Sequence, residues 1–345
     1  MIVLQPVGLG DAIDHVAKSQ NFGDRLVLLG TAVVALGSST IGFGHLLMTD
    51  FAFSVVVVAG TQAPVAIHFT AYGDESDPGP YPVPAGAPIE GGAASSGDRH
   101  VLVIDRDHNR LYELDAAYPN GDGSWNAACG AVFQLDSNLV RPGGQPGWTS
   151  ADAAGLPILP GLVRFDEAEA GSIDHAIRFT CVHTRSEHLW PARHDASRSD
   201  DPAFPPMGQR FRLHAAFDLG GFDPPVRAIL QAMKTYGLIL ADNGSNWFVT
   251  GTHDPRWDDE MLASLSAVKG SDLEAVDVSS LLVDPDSGLA VPRMVGDING
   301  DGAVNGGDLA VLLGAWGSAG AADLNGDGTV DAADLSLLLG AWTVS

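Results

Sequence analysis

The sequence predicts a β-rich main domain, similar to a β-sandwich or jelly roll with one or two packed helices, followed by a small all-α domain. Three observations lead to this prediction. Short apolar runs bounded by Gly, Pro, Asn and Asp recur through the middle of the chain. Two segments within that region carry helix signals instead. The last fifty residues repeat an acidic, glycine-punctuated loop, each time followed by an apolar helix-like run.

Composition limits the range of functions. The chain has 345 residues, of which 45% are hydrophobic, so it can bury a sizeable core. Its formal net charge is −25. A chain this acidic repels nucleic acid and anionic membrane surfaces, so we expect neither as a partner.

The first segment, residues 1–60, is open to three interpretations. Its apolar run at 25–39, "RLVLLGTAVVALGSS", has the chemistry of an export signal. However, it follows Asp11, Asp14 and Asp24, which are unusual before such a run unless the true start lies later in the chain. A buried core element is the second interpretation. A membrane anchor is the third, although the run is shorter than the ~20 apolar residues that a spanning helix needs.

The main domain is expected over residues 61–283. Residues 101–114, "VLVIDRDHNRLYEL", predict a strand, a turn and a second strand. A helix is expected in 222–237, where Asp223 can cap and Gly237 ends the run. A weaker helix signal covers 254–270. Further strands are expected from the runs "GAVFQL", "HAIRFTCVHT", "RFRLHAAFDL", "YGLILAD" and "NWFVTGT".

Two smaller features complete this part of the chain. Residues 284–295 are expected to be a linker, because Pro285 and Pro292 interrupt any regular element. Cys129 and Cys181 leave two alternatives open, a disulfide or two buried thiols.

The C-terminal repeat carries the spacing of calcium-binding loops. Counting from Asp297 and from Asp323, side-chain oxygens stand at positions 1, 3 and 5, a glycine at 6 and a carboxylate at 12. Calcium prefers six to eight oxygen ligands, and this spacing wraps such ligands around one ion. The predicted ligands for two ions are Asp297, Asn299, Asp301, Ala303 (backbone carbonyl), Asn305, Asp308, Asp323, Asn325, Asp327, Thr329 (backbone carbonyl), Asp331 and Asp334.

The residues around the loops favour a folded module over an acidic tail. Between 297 and 345 there are seven Asp and no Lys, Arg or Glu. Val304 and Val330, at position 8 of each loop, are expected to join the two loops through a small core. The runs "LAVLLGAW" and "LSLLLGAW" follow at a period of 26 residues.

Residues 296–342 resemble a type I dockerin, in which two calcium loops are each followed by one helix. Aspartate at position 12 of each loop is usual in that family. The resemblance implies a calcium-dependent tail that docks to a cohesin-like or other surface scaffold protein, on an extracellular or cell-surface protein that acts on polysaccharide. One departure affects the partner's identity. Positions 10 and 11, which read the partner, are Gly306 and Gly307 in the first loop and Ala332 and Ala333 in the second.

The main domain offers candidate residues for polysaccharide chemistry. Glycoside hydrolysis needs two carboxyl groups, and the best candidates on loops or strand ends are Glu90, Asp152 and Asp242. His194 is a further catalytic candidate. The candidate substrate-binding residues are Trp148, Trp190, Arg193 and His100.

Three functions remain open for the main domain. The first is a glycoside hydrolase that uses an Asp/Glu pair. The second is a non-catalytic carbohydrate-binding or surface-assembly module with tryptophans as its platform. The third is a polysaccharide lyase that uses His194 or His100 with a tyrosine and an arginine, although an acidic chain makes a basic groove harder to build. The body also resembles an uncharacterised secreted bacterial family, which assigns no activity.

Overall fold

A computed structural model describes residues 42–43, 53–143, 147–290, 295–299, 303–318, 322–325 and 329–343. The apolar run at 25–39 lies outside the described residues. The chain divides into two compact units, a main unit up to Ala290 and a C-terminal unit whose described part begins at residue 295.

Strands predominate among the regular elements of the main unit, which confirms the β-rich class predicted from the apolar runs. The strands are β1 Gly42–Phe43, β2 Val55–Val58, β3 Ile67–Phe69, β4 Val101–Asp105, β5 Arg110–Asp115, β6 Tyr118–Pro119, β7 Trp125–Ala127, β8 Cys129–Gln134, β9 Ile177–Cys181, β10 Arg210–Leu213, β11 Leu238–Asn243, β12 Phe248–Val249 and β13 Leu273–Val276. Its α-helices are α1 Phe165–Ala170, α2 Pro224–Thr235 and α3 Asp259–Ala263.

The strands form three sheets with both parallel and antiparallel neighbours. The largest sheet has the order β1-β12-β9-β11-β10-β13, and its β9 and β11 run parallel. A second sheet has the order β2-β4-β5-β8, and a third has the order β3-β7-β6. Parallel pairs also join β2 to β4 and β3 to β7.

Strands β4 and β5 form the antiparallel hairpin that the sequence predicts for residues 101–114. Every residue of β4 is buried. Leu102 and Ile104 belong to one hydrophobic cluster, whereas Val101 and Val103 belong to another. Because alternate side chains of a strand point to opposite faces, the second sheet is covered on both faces.

Helix α2 lies where the sequence predicts it, but its start differs in detail. Asp223 occupies the N-cap position without a side-chain capping bond, and Pro224 is the first helical residue. Gly237 follows the helix at φ +78°, a conformation that glycine adopts without strain. The helix packs into the largest hydrophobic cluster through Val226, Ile229, Leu230 and Met233.

The second predicted helix is shorter than the sequence signal. The pattern over 254–270 predicts one helix, whereas α3 covers only Asp259–Ala263 and a 3₁₀ turn, Ser264–Ala267, continues it. The helix begins later than predicted because Asp258 is its N-cap residue. The Asp258 carboxylate accepts hydrogen bonds from the N–H groups of Glu260 and Met261.

Both cysteines of the main unit are free and buried. Cys129 Sγ donates to the carbonyl of Ser150, and Cys181 Sγ donates to that of His183. Burial raises the pKa of each thiol to about 12, so both stay protonated and unreactive at neutral pH.

The segment expected to be a linker is described up to residue 290, and that part is bonded to the main unit. Leu139 pairs with Ser287, and Leu282 pairs with Ala290, as isolated β-bridges. Residues 291–294 lie outside the described part of the chain.

The C-terminal unit consists of helices α4 Gly306–Gly314 and α5 Ala332–Gly340, each preceded by a loop. Val304 and Val330 are fully buried. The backbone of Val330 bonds to the segment after α4, and the backbone of Val304 bonds to the segment after α5. Val330 N donates to Ser318 O at 2.8 Å, and Thr343 N donates to Val304 O at 3.0 Å. The small core contains Val304, Leu312, Ala322, Val330 and Leu338.

No helix in the described ranges is long and apolar enough to cross a membrane.

Candidate calcium loops and the polar clusters of the main unit

The last position of each loop holds a carboxylate that organises the loop's own backbone. Asp308 is fully buried. Its Oδ1 accepts from Ile298 N at 2.7 Å and Asn299 N at 3.0 Å, and its Oδ2 accepts from Asn305 N at 2.9 Å. The buried Asp334 accepts the same three bonds in the second loop, from Leu324, Asn325 and Asp331.

These bonds keep both carboxylates ionised. Burial opposes ionisation of Asp308, but the surrounding N–H groups outweigh it and hold its pKa below the usual value. The N–H groups of Asp331, Asn325 and Leu324 likewise lower the pKa of Asp334.

The ninth position of each loop starts the helix that follows. The side chain of Asn305 accepts from Gly307 N at 2.7 Å, and the side chain of Asp331 accepts from Ala333 N at the same distance. Each is paired with the position-12 aspartate in a capping box. Loop and helix are therefore built as one unit in each repeat.

The loop residues fit a hard cation. Carboxylate, amide and backbone carbonyl oxygens are the ligands that calcium prefers. Asp301 and Asp327, at position 5, lie outside the described residues. Within the part of the chain that is described, no three His, Cys, Asp or Glu side chains gather as metal ligands. The predicted set relies on amide and carbonyl oxygens as well as carboxylates.

In the main unit, Arg178 pairs with two carboxylates. Its Nε and Nη2 donate to the two oxygens of Asp152 at 3.0 and 2.8 Å, and its Nη1 donates to Thr250 Oγ1 at 2.8 Å. Asp242 Oδ2 lies 3.8 Å from the same Nη2. The Asp152 side chain is 0% exposed and that of Asp242 is 21% exposed. Solvent therefore reaches Asp242 and not Asp152.

His100 is a buried cation beside this pair. Its Nδ1 lies 2.5 Å from Glu90 Oε2, and its Nε2 lies 2.9 Å from Ala151 O. Because both neighbours are acceptors, both ring nitrogens donate and the imidazole is doubly protonated. Burial acts to lower the pKa of His100, but the hydrogen bond and charge of Glu90 raise it to about 10.

We call Glu90, His100, Asp152, Arg178 and Asp242 the Arg178 cluster. Its two partly exposed carboxyl groups have opposite pKa shifts. Burial, reinforced by the charge of Asp152, raises the pKa of Asp242 to about 8, against the opposing charges of Arg178 and His100. Burial also acts on Glu90, but the hydrogen bond from His100 and its charge outweigh it and lower the pKa of Glu90.

Strand β5 adds two further carboxyl groups next to the Arg178 cluster. Glu113 is fully buried and accepts from the N–H groups of Ile158 and Leu159 at 3.0 Å, while burial raises its pKa to about 7. Asp115 Oδ1 lies 3.9 Å from His100 Nε2, and burial raises its pKa. Carboxyl groups outnumber cations here, so some of them retain a proton at neutral pH.

The fold brings together predicted residues from distant segments. Glu90, Asp152, Asp242 and His100 all belong to the Arg178 cluster. Asp152 does not face solvent, so it is placed to hold Arg178 rather than to contact a substrate. Sequence reasoning missed Arg178 itself, although a charged residue within the apolar run "HAIRFTC" requires a buried counter-charge.

His194 belongs to a different set of side chains. Its Nδ1 lies 2.8 Å from Ala153 O, and its Nε2 faces Glu75 Oε2 at 3.8 Å. Arg141 Nη2 donates to the carbonyl of Glu75 at 2.8 Å, and its guanidinium lies 5.0 Å from the ring centroid of Trp148. Arg141 was not predicted from the sequence as a member of this set.

Trp190 and Arg193 form hydrogen bonds within the main unit. Trp190 Nε1 donates to Ser287 O at 2.7 Å. Arg193 Nε donates to Arg141 O at 3.0 Å, and its Nη2 donates to Asp286 Oδ1 at 2.6 Å. These bonds fix Asp286 and Ser287 against the rest of the main unit, and they engage the indole N–H of Trp190 and the guanidinium of Arg193 within the protein.

Two cavities of about 70 and 50 Å³ share Leu156, Pro157, Pro160 and Pro191 in their walls. Arg178 lines the larger one. Neither is lined by Glu90, Asp152 or Asp242.

Comparison with known families identifies the C-terminal unit. Residues 295–340 match the dockerin type I domain. This is the family that the loop spacing indicates. Dockerin type I domains bind calcium and bind cohesin scaffold proteins, and they indicate extracellular, cellulosome-type components. The match leaves the main unit unassigned, and no curated protein and no solved structure matches the chain.

Proposed function

We propose that this chain is a secreted glycoside hydrolase, anchored to a cohesin-bearing scaffold by a dockerin domain that holds two calcium ions. The dockerin match supports the anchor. One observation supports the catalytic half. Asp242 and Glu90, which are both partly exposed, have opposite pKa shifts beside the same two buried cations.

Asp242 is the proton donor in this mechanism. With a pKa of about 8 it is protonated at neutral pH, and its side chain is partly exposed. A neutral carboxyl group in that position can donate a proton to the glycosidic oxygen as the bond breaks. Asp152 and Arg178 keep it in place. Arg178 lies 3.8 Å from Asp242 and is itself fixed by Asp152.

Glu90 is the second carboxyl group. The imidazolium of His100 keeps it ionised, and its side chain is 13% exposed. An ionised carboxylate can act as the nucleophile of a retaining enzyme or as the base of an inverting one. The pair then follows the general pattern of two carboxyl groups whose surroundings separate their pKa values.

The two alternatives receive less support. A binding platform needs exposed aromatic faces, yet Trp148, one of its two predicted tryptophans, has the Arg141 guanidinium 5.0 Å from its ring centroid. A lyase needs a histidine and a tyrosine at one site. Among the described residues, neither His100 nor His194 forms a hydrogen bond with a tyrosine hydroxyl.

Each dockerin loop would hold one calcium ion through the oxygens of its positions 1, 3, 5, 7, 9 and 12. The ion would supply the positive charge that balances the loop carboxylates. The buried Asp308 and Asp334 organise the loops around it, since each accepts three backbone hydrogen bonds.

The test is a reducing-sugar assay of the full chain on a panel of polysaccharides. We expect activity on at least one, and a loss of ~10²-fold or more in kcat for Asp242→Asn and for Glu90→Gln. Asp200→Asn, at an exposed position, is the matched control and should retain full activity. Absence of activity on every polysaccharide contradicts the hydrolase. A 4,5-unsaturated product would assign the lyase instead.

A further inference from the structure

Large apolar side chains face solvent on both helices of the C-terminal unit and directly after them. Their side chains are between 38% and 53% exposed. We call them the helix-face residues: Val311, Leu313 and Trp316 in the first repeat, and Leu337, Leu339 and Trp342 at the equivalent positions 26 residues later. Single exposed leucines are ordinary in soluble proteins, whereas a group of large apolar side chains on a small surface marks an interaction site.

The packing of the C-terminal unit does not account for the helix-face residues. The fully buried leucines of the helices are Leu312 on α4 and Leu338 on α5. Their neighbours Leu313 and Leu339 instead expose about half of their side chains to water. Polar or charged residues normally occupy the solvent face of a helix. Both repeats therefore keep exposed apolar residues that the small core does not require.

The same helices carry no exposed charge. The only ionisable residues within α4 and α5 are Asp308 and Asp334. Both are buried, and both accept hydrogen bonds from the backbone of their own loops. The other aspartates of the unit precede the helices in the chain. A partner that contacts the helices therefore meets apolar side chains and finds no charged group to pair with.

The positions expected to read the partner contribute little binding chemistry in this chain. Gly306 and Gly307 have no side chain, and Ala332 and Ala333 offer one methyl group each. All four are exposed, but none can donate a hydrogen bond from a side chain. Discrimination between partners must then come from other exposed residues. Tryptophan is among the residue types that most often carry the binding energy of an interface.

We propose that the helix-face residues form the surface by which this dockerin unit binds the cohesin domain of its scaffold, and that the facing cohesin surface is apolar and uncharged. The match at residues 295–340 identifies the occupant, because dockerin type I domains bind cohesin scaffold proteins. This assignment rests on the anchor in the proposed function. A lipid surface fits less well, since helices that lie on membranes carry Lys and Arg beside their apolar face and α4 and α5 contain neither.

An apolar surface gives binding a recognisable thermodynamic signature. Salt screens contacts between exposed charges and has little effect on apolar contacts. The dissociation constant should therefore change by less than about threefold between about 0.05 and about 0.5 M NaCl. Burial of apolar side chains should also give a negative heat-capacity change of binding.

The test measures binding of the full chain to a panel of purified, immobilised cohesin domains in calcium buffer. We expect the wild type to bind at least one of them. The four-site variant should bind that cohesin about 100-fold more weakly or worse. It alters both repeats together, because their exposed residues are equivalent, and it consists of Leu313→Ser, Trp316→Ser, Leu339→Ser and Trp342→Ser. The matched control, Ser318→Ala with Ser336→Ala, removes two exposed hydroxyl groups and should bind as the wild type does.

Two measurements separate loss of contact from loss of folding. Calorimetric titration should find as many calcium ions bound to the four-site variant as to the wild type. In a wild-type chain labelled with 5-fluorotryptophan, the ¹⁹F signal of Trp316 or of Trp342 should shift when cohesin is added. The signals of the buried Trp125 and Trp247 should stay in place. If the four-site variant binds less calcium, the ¹⁹F shifts decide the question.

Different failures would have different meanings. Equal affinity of the four-site variant and the wild type would leave the anchor intact and place the cohesin contact elsewhere. Weaker binding by the serine control, or a steep loss of affinity in salt, would assign recognition to polar groups. Dimers of the wild type that the four-site variant does not form, without cohesin binding, would assign the surface to a second copy of this chain. Absence of binding to every cohesin would contradict the anchor and this surface together.

Discussion

The buried side chain of Arg178 links three distant segments of the main unit. It comes from the buried strand β9 and reaches Asp152 from one loop and Asp242 from β11. Asp152 is 0% exposed, so its charge has been removed from water and depends on the guanidinium for compensation. Burial of such a pair costs desolvation free energy. Removal of one partner destabilises the fold by more than the intact pair stabilises it, because the other charge stays buried without compensation.

We predict that Arg178→Met lowers the free energy of unfolding by about 3–5 kcal/mol, because it leaves Asp152 buried without a counter-charge. Urea denaturation followed by tryptophan fluorescence measures this change. Arg256→Met is the matched control. Arg256 is 47% exposed and pairs with Asp166, so we expect a change within ~1 kcal/mol. Equal effects of the two substitutions would mean that the buried pair contributes no more than a surface one.

The raised pKa values of the main unit make its stability depend on pH. Glu113 titrates at about 7 and Asp242 at about 8, both above their ordinary values of 4.5 and 3.8. The folded state therefore keeps protons that the unfolded chain releases, and stability falls as pH rises through this interval. His100, with a pKa of about 10, acts in the same direction, since its contribution is present below 6.5 and is lost as pH rises through 10.

We predict that the Tm of the main unit falls between about pH 6 and about pH 9, and that Asp242→Asn reduces the fall, because asparagine has no proton to lose. Calorimetry of both proteins across this range is the measurement. Asp136→Asn, at an exposed position, should follow the wild type. A Tm that rises with pH in the wild type would show that folding does not raise the pKa values of these carboxyl groups.

Among larger elements, those whose determinants are contiguous could be predicted from sequence. Each C-terminal loop carries its predicted ligands and its capping-box residues within twelve positions, so spacing alone indicates the dockerin family that the chain matches at residues 295–340. The hairpin of β4 and β5 follows from the local pattern for the same reason. The Arg178 cluster depends on pairings between distant segments. Sequence reasoning selected its carboxylates one at a time and missed Arg178, which looks like part of an apolar strand.

The boundaries of the helices likewise follow from sequence only where local residues fix them. Helix α2 has a proline at its first position and a left-handed glycine after its end, and the sequence places it correctly. Helix α3 begins later than expected. Both Asp254 and Asp258 are plausible caps, and only the folded chain shows that Asp258 accepts the N–H groups. Local chemistry identifies candidates, and tertiary packing selects between them.

The helices of the C-terminal unit should depend on calcium. At nine residues each, α4 and α5 are shorter than the ~12–15 residues that an isolated helix needs to be even marginally stable in water. Asp308 and Asp334 link each helix to its loop, so removal of one carboxylate should disable one loop. We predict that Asp308→Ala and Asp334→Ala each reduce calcium binding from two ions to one, as measured by isothermal titration calorimetry.

The second loop serves as the internal control for the first. The two aspartates accept the same three backbone hydrogen bonds, so each variant should lose the same number of bound calcium ions, namely one. The double variant should bind no calcium. Retention of two ions in either single variant would mean that the position-12 carboxylate is dispensable, and full helical circular dichroism in EDTA would contradict the dependence on metal.

In the molecule as a whole, charge and hydrophobic burial are distributed differently between the two units. Seven aspartates and no basic residues lie between 297 and 345, whereas all the lysines and arginines precede that segment. The C-terminal unit has a core of few side chains, and the main unit has several hydrophobic clusters. Ion binding should therefore dominate the stability of the C-terminal unit, and apolar burial should dominate that of the main unit.

This difference predicts two separable thermal transitions in the full chain. Calcium binds only the folded loops, so it should raise the Tm of the C-terminal unit with concentration, by mass action. EDTA should abolish that transition and leave the Tm of the main unit, and any hydrolysis of soluble substrate, unchanged. Calorimetry of the full chain in calcium and in EDTA tests this. Asp308→Ala with Asp334→Ala should reproduce the EDTA result in calcium buffer. A main-unit Tm that falls with chelation would place a structural ion in the main unit and contradict the assignment of calcium to the dockerin loops alone.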